Sequence, residues 1–208
     1  MRKALLYMAV LMAMLGGLFA ATQEAAVAAP LAVGTATCHI SGGGGSVSPG
    51  LSVAGSPRGV KISFQAALAT STGCGGHVTS PAGVHVIGGS LVGTGYYNPP
   101  TAAAHGSSCV NFNGPDKVGN IRVTISWATI GGPIAPTVIT YTNNVATVTG
   151  PVNGYDTILL KAPTAVKAGS FLAGALRATK LVTTLPAPGL HCVGTTTAFR
   201  ITGGGVSV

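Results

Sequence analysis

Cysteine and histidine stand close together four times along this chain. Cys38 adjoins His39, Cys74 precedes His77 by three residues, His105 precedes Cys109 by four, and His191 adjoins Cys192. A thiolate beside an imidazole is the donor set that zinc or copper prefers. The spacing points away from a metal, however. Neighbours on one strand face opposite ways, so Cys38 and His39 cannot reach the same ion. The C-x-x-C pairs of recognised zinc sites are also absent. An even number of cysteines in an exported chain reads as two structural disulfides, and an oxidising compartment would consume free thiols. Three pairings are open to four cysteines; Cys38–Cys74 with Cys109–Cys192 is the expected one. No metal or cofactor site is assigned.

Acid–base chemistry by paired carboxylates needs two acids in different environments. Beyond residue 29 only Asp116 and Asp156 remain. Both stand in turn sequences, Gly114-Pro115-Asp116-Lys117 and Asn153-Gly154-Tyr155-Asp156, where aspartate commonly bonds its own backbone. Serines and histidines exist for a Ser-His-Asp triad, but no G-x-S-x-G nucleophile elbow accompanies them. His85, between Val84 and Val86, reads as a strand surface residue. The glycine runs at 42–45, 88–89 and 203–205 have neither the P-loop pattern nor the following helix that cradles phosphate. They read as turns or loose strand ends, and Gly42-Gly43-Gly44-Gly45-Ser46 as a mobile loop. No catalytic residue is assigned, and the chain is not expected to be an enzyme.

The elements that would position any site are strands. In Val60-Lys61-Ile62-Ser63-Phe64-Gln65-Ala66-Ala67-Leu68, apolar residues occupy every even position opposite Lys61, Ser63 and Gln65. Ile121-Arg122-Val123-Thr124-Ile125-Ser126-Trp127 alternates as cleanly, with the sole tryptophan on the apolar side, where it should be buried. Thr197-Ala198-Phe199-Arg200-Ile201 repeats the pattern. One face inward and one outward is the mark of antiparallel sheet covered on one side. Softer strand candidates cover 35–40, 84–97, 138–148, 157–161 and 169–185. Turn signals separate them at Asn98-Pro99-Pro100, Asn113-Gly114-Pro115-Asp116, Asn143-Asn144, Asn153-Gly154 and Pro186-Ala187-Pro188-Gly189. The prediction is an all-β fold of about 8–10 antiparallel strands, a β-sandwich, with a closed β-barrel as the alternative.

Ahead of these strands, Met1-Arg2-Lys3 is followed by an apolar stretch over 4–21 and by the small residues Val27-Ala28-Ala29. Basic, apolar and small-residue regions in that order form a secretory signal peptide. Residues 1–29 are therefore expected to be a helical leader cleaved after Ala29, the alternative being retention as an anchor, and residues 30–208 a single secreted β-domain. That domain holds nine basic residues against Asp116 and Asp156, and no glutamate. Such poverty in charge argues against a helix-rich cytosolic enzyme. The basic excess attracts polyanions such as an anionic cell-wall polymer or surface component. Without a Lys/Arg run or an interleaved aromatic ladder, no nucleic-acid partner is expected.

Several short pieces carry a likeness. They are Cys38-His39-Ile40, Val47-Ser48-Pro49-Gly50-Leu51, Val60-Lys61-Ile62-Ser63-Phe64, Gly73-Cys74, Ile125-Ser126-Trp127, Gly169-Ser170-Phe171-Leu172-Ala173-Gly174, and Gly194-Thr195-Thr196-Thr197 after Cys192. Together they resemble a loose group of secreted actinobacterial β-rich proteins of uncharacterised function. The resemblance implies a secreted β-sandwich and supplies no active residues. The expected function is a non-catalytic secreted or cell-wall-associated β-module. An outer-envelope β-barrel or pore is the first alternative, and a small secreted hydrolase the second.

Overall fold

The computed structural model of the chain describes residues 28–51, 60–69, 73–98, 118–152, 155–160, 166–172, 178–184 and 195–208. Residues 1–27 of the expected leader and the expected Cys109–Cys192 bridge lie outside them. Among the described residues there is no helix, and the fold is all-β. Its strands are β1 (Val33–Leu51), β2 (Val60–Leu68), β3 (Cys74–Ser80), β4 (His85–Asn98), β5 (Val118–Ile130), β6 (Thr137–Val152), β7 (Tyr155–Leu160), β8 (Val166–Gly169), β9 (Ala178–Thr183) and β10 (Thr196–Ser207). The hydrogen-bonded order is β10-β9-β7-β6-β5-β4-β2-β1-β3, with β8 on β6 and a further pairing of β10 with β1. Every pairing is antiparallel, as the alternating sequence predicts for an all-β fold. The β1–β10 seam occupies edges that would otherwise offer unpaired backbone groups to another chain.

β2 is the plainest case of pattern becoming structure. Val60, Ile62, Phe64, Ala66 and Leu68 are all buried, while Lys61, Gln65 and Ala67 face out. Val123 and Ile125 of β5, Leu91 of β4, Ile139 and Tyr141 of β6 and Leu181 of β9 meet them in one core. Each such side chain contributes roughly 1.5–3 kcal/mol by leaving water.

Several sequence expectations need correcting. Residues 42–45 form no loop: they are the middle of β1, paired with β2 on one side and β10 on the other. A register irregularity between Ile40 and Gly42 shifts the alternation by one. Ala36, Cys38 and Ile40 before it, and Val47 after it, are all buried. Asn143-Asn144 is no turn either, because β6 runs straight through it. Along one edge β6 holds β8 over Thr137–Thr140 and β7 from Ala146 onward, so the asparagines stand where its neighbour changes. Residues 203–205 are likewise interior to β10, paired with Val182, Leu181 and Lys180 of β9.

Of the strand expected over 169–185, residues 170–172 are not strand and Ala178–Thr183 (β9) is. β8 ends at Gly169 (φ +88°), and Phe171 follows with a left-handed φ of 62°. That conformation costs a non-glycine residue roughly 1–2 kcal/mol. Surrounding contacts hold it. The Phe171 amide donates to the Ala32 carbonyl at 2.6 Å, Lys167 Nζ donates to the Phe171 carbonyl at 3.0 Å, and the ring meets Trp127 edge-on at 5.2 Å and 79°. Strands β3 and β8 are absent from the sequence expectation, and Asp156, read as a turn residue, belongs to β7, opposite Thr183.

Candidate functional site

Cys38 and Cys74 are directly opposed on β1 and β3 and joined by a disulfide, as expected. Their sulfurs are bonded to each other, so neither is a thiolate ligand. Cys38 is buried whereas His39, next to it, is exposed, and the His39 amide donates to the Gly73 carbonyl at 2.6 Å. The alternation that separates the pair is therefore physical. His77 and His85 are also exposed, the latter at the first position of β4. His105, His191, Cys109, Cys192 and Asp116 lie outside the described residues. The buried Ser170 hydroxyl donates to the Ala135 carbonyl at 2.6 Å and accepts from the Ala32 amide at 3.0 Å, which commits it to structure.

Buried Tyr141 and half-buried Lys167 show the same commitment. Tyr141 OH lies 2.9 Å from Thr179 Oγ1, and burial pushes its pKa up to about 12, with the Thr179 bond opposing. Desolvation lowers the Lys167 pKa below its ordinary value. The sulfur, hydroxyl and phenol groups singled out by type thus hold the fold.

What remains for function is the outer face of β1, β2, β4 and β5. Register fixes its layout. Lys61 of β2 is opposite Tyr96 of β4; Ser63 is opposite Thr94; Thr94 is opposite Arg122 of β5, which is opposite Thr140 of β6. All belong to the outward half of each alternation, because Ile62, Phe64, Ile121, Val123 and Ile139 between them are buried. Lys61, Tyr96 and Arg122 are exposed, Tyr96 by 58%. Together with Thr94, Ile121 and Thr140 they line a recess of about 360 Å³.

The recess continues across the sheet. Thr94 also borders a groove of about 310 Å³ edged by Gly44, Ser46, Ser63, Gln65 and Val92. Gln65 and Val92 in turn border a third hollow of about 380 Å³ reaching Gly42, Ala67 and Ser90. The glycines of β1 give this track an edge free of side chains. No carboxylate among the described residues pairs with Lys61 or Arg122. Sequence reading found Lys61 and Arg122 as the polar members of their alternations but did not bring them together. Their proximity depends on β4 lying between β2 and β5, and no pattern local to any strand encodes that.

Protein families, curated proteins and solved structures were all compared with the chain, and none matches it.

Proposed function

We propose that the chain is a non-catalytic β-module, secreted or held at the cell wall, that binds its partner through the outer face of β1, β2, β4 and β5. The observation that carries this reading is the clustering of exposed Lys61, Tyr96 and Arg122 on a sheet whose other face is the core. A rigid scaffold presenting a fixed set of polar side chains is suited to recognition. The buried Cys38–Cys74 disulfide points to an oxidising environment, in keeping with the signal-like residues 1–29. Apolar-in and polar-out alternation supports a water-facing exterior. A membrane barrel would reverse that order on its lipid-facing band.

The test combines cell fractionation with co-sedimentation. The protein should be recovered from culture fluid or wall fractions, with its chain starting at or near Pro30. It should pellet with isolated envelope material, and the triple variant K61A/Y96A/R122A should stay in the supernatant. Recovery from the cytoplasm with Cys38 and Cys74 reduced, or unchanged pelleting of the triple variant, would overturn the reading.

A further inference from the structure

We infer that the track from the hollow at Ser90 to the recess at Lys61, Tyr96 and Arg122 binds a polyanionic glycan, a polymer of sugar or polyol units bearing repeated negative charges; this rests on the proposed use of the outer face for binding. The argument starts from shape. Three hollows share residues in sequence, Gln65 and Val92 linking the first two and Thr94 the last two. The path follows β4 from Ser90 to Tyr96, six residues or about 20 Å at the usual strand rise. A trough of that length, shallow and open to solvent, suits a segment of a chain rather than an enclosed small molecule.

The charges fit the same conclusion. Lys61 and Arg122 stand on strands two apart and are offset by two residues, because Lys61 faces Tyr96 whereas Arg122 faces Thr94. From strand spacing and rise, their Cα atoms are about 12 Å apart. Two cations converging on one point would mark a site for a single phosphate. Two cations on either side of an exposed aromatic ring match successive charges along a polymer, with the uncharged part of the repeat lying over the ring. The Tyr96 ring offers an apolar surface with a polar tip to that repeat. Ser63, Thr94, Thr140 and Gln65 supply hydroxyl and amide groups that can both donate to and accept from sugar hydroxyls. Glycine at 42 and 44, on the outward half of β1, lets the polymer approach its backbone closely.

Nucleic acid would also answer to cations, but it calls for a succession of aromatic platforms on which bases stack. Tyr96 is the sole exposed aromatic side chain described on this face. The observations therefore favour a glycan.

Binding of the purified protein is to be measured against poly(glycerol phosphate), polygalacturonate, neutral dextran, polyuridylate and inorganic phosphate, over a range of salt. The two anionic glycans separate a phosphate from a carboxylate as the source of charge. Binding to at least one of them, weakened by salt, is expected, with dextran and free phosphate much weaker. K61A/R122A should lose roughly tenfold or more in affinity, and each single charge removed should lower the salt slope by about one. Y96A should lose affinity while keeping the slope. H77A, on β3 opposite Thr35 and away from the track, serves as the control and should change little. Melting profiles matching the parent show that each variant is folded. Equal binding to dextran, equal binding to free phosphate, tighter binding to polyuridylate, or an unaltered K61A/R122A would each overturn the inference. The wider reading stands apart from it: pelleting with envelope material that is lost in the triple variant but unmoved by salt would keep the binding face and reject the polyanion.

Discussion

The Phe64 ring on β2 fills the volume that a side chain on Gly93, its cross-strand partner on β4, would need. Gly45 of β1, also opposite Phe64, does the same for the Phe199 ring of β10. Both glycines are on the inner side, and the aromatic rings cover the backbone that they leave bare.

Adding one methyl group at Gly93 should therefore destabilise the fold. G93A forces the Phe64 ring out of its position, and overpacking of this kind costs about 1–3 kcal/mol. Urea unfolding should show a lower midpoint for G93A and for G45A. Gly203 has open space around its added Cβ, so G203A should stay within about 0.5 kcal/mol of the parent. Pairing G93A with F64L should recover part of the loss, since the two sites share one volume. Additive losses in that double variant would refute the shared packing.

The disulfide sets a second expectation. Cys38 and Cys74 are separated by 36 residues, and closing a loop of that size contributes about 4 kcal/mol by restricting the unfolded chain. C38A/C74A should unfold at markedly lower denaturant than the oxidised parent. Cys38 is 1% exposed, so a thiol reagent added with reductant should label it only as fast as the β1–β3 pairing opens. Rapid labelling under native conditions would contradict that burial.

The sequence pattern predicted these features to different extents, for identifiable reasons. β2 and the core of β5 were legible because each has a single buried face and no irregularity, so alternation survives intact. Cys38–Cys74 was legible from the cysteine count and order. Residues 42–45 were not, because glycine carries no apolar signal and the irregularity beside them breaks the period. The Asn143-Asn144 pair misleads for a related reason: its residue types favour turns, but Gly119 of β5 pairs with Asn144, and β8 and β7 hold β6 extended before and after the pair. Trp127, expected to be buried, is half-buried near the end of β5, where its Nε1 donates to Thr137 Oγ1 at 2.9 Å. The Lys61–Tyr96–Arg122 cluster was hidden altogether, since strand order is a property of the whole chain.

Alkaline pH should act through Tyr141. Its pKa rises from 10.0 unfolded to about 12 folded, so the folded state retains the phenolic proton more tightly than the unfolded chain does. The stability this confers is complete below pH 10 and is lost as pH rises from about 10 to about 12. The tyrosinate absorbance that disappears in Y141F should belong to a phenol that ionises only at about pH 12, and unfolding free energy should fall across the same window. Y141F should flatten that fall. It should also cost about 1 kcal/mol at neutral pH, because Thr179 Oγ1 loses its partner inside the core. Ionisation of Tyr141 at the ordinary tyrosine value of 10.0 would show that the phenol is not shielded.

Ser170 gives the sharpest test of how the ends of the chain are held. Its hydroxyl bridges the Ala135 carbonyl and the Ala32 amide, while the Ser170 carbonyl accepts from Thr137 Oγ1, which itself accepts from Trp127 Nε1. Ala32 is 2% exposed, so S170A would leave its N–H buried without a partner, at a cost of about 1–3 kcal/mol. The loss should be local first. The amide of Ala32 should exchange with solvent faster in S170A, and that of Phe171, which donates to the Ala32 carbonyl, should follow it. Amides of β2 should keep their protection until the whole sheet opens. Because Trp127 packs on Phe171, its emission should shift toward longer wavelength in S170A. If exchange at Ala32 were unchanged, the N-terminal segment would have to be held by its bonds to Ala135 and Phe171 alone, and the Ser170 hydroxyl would not be what fixes it.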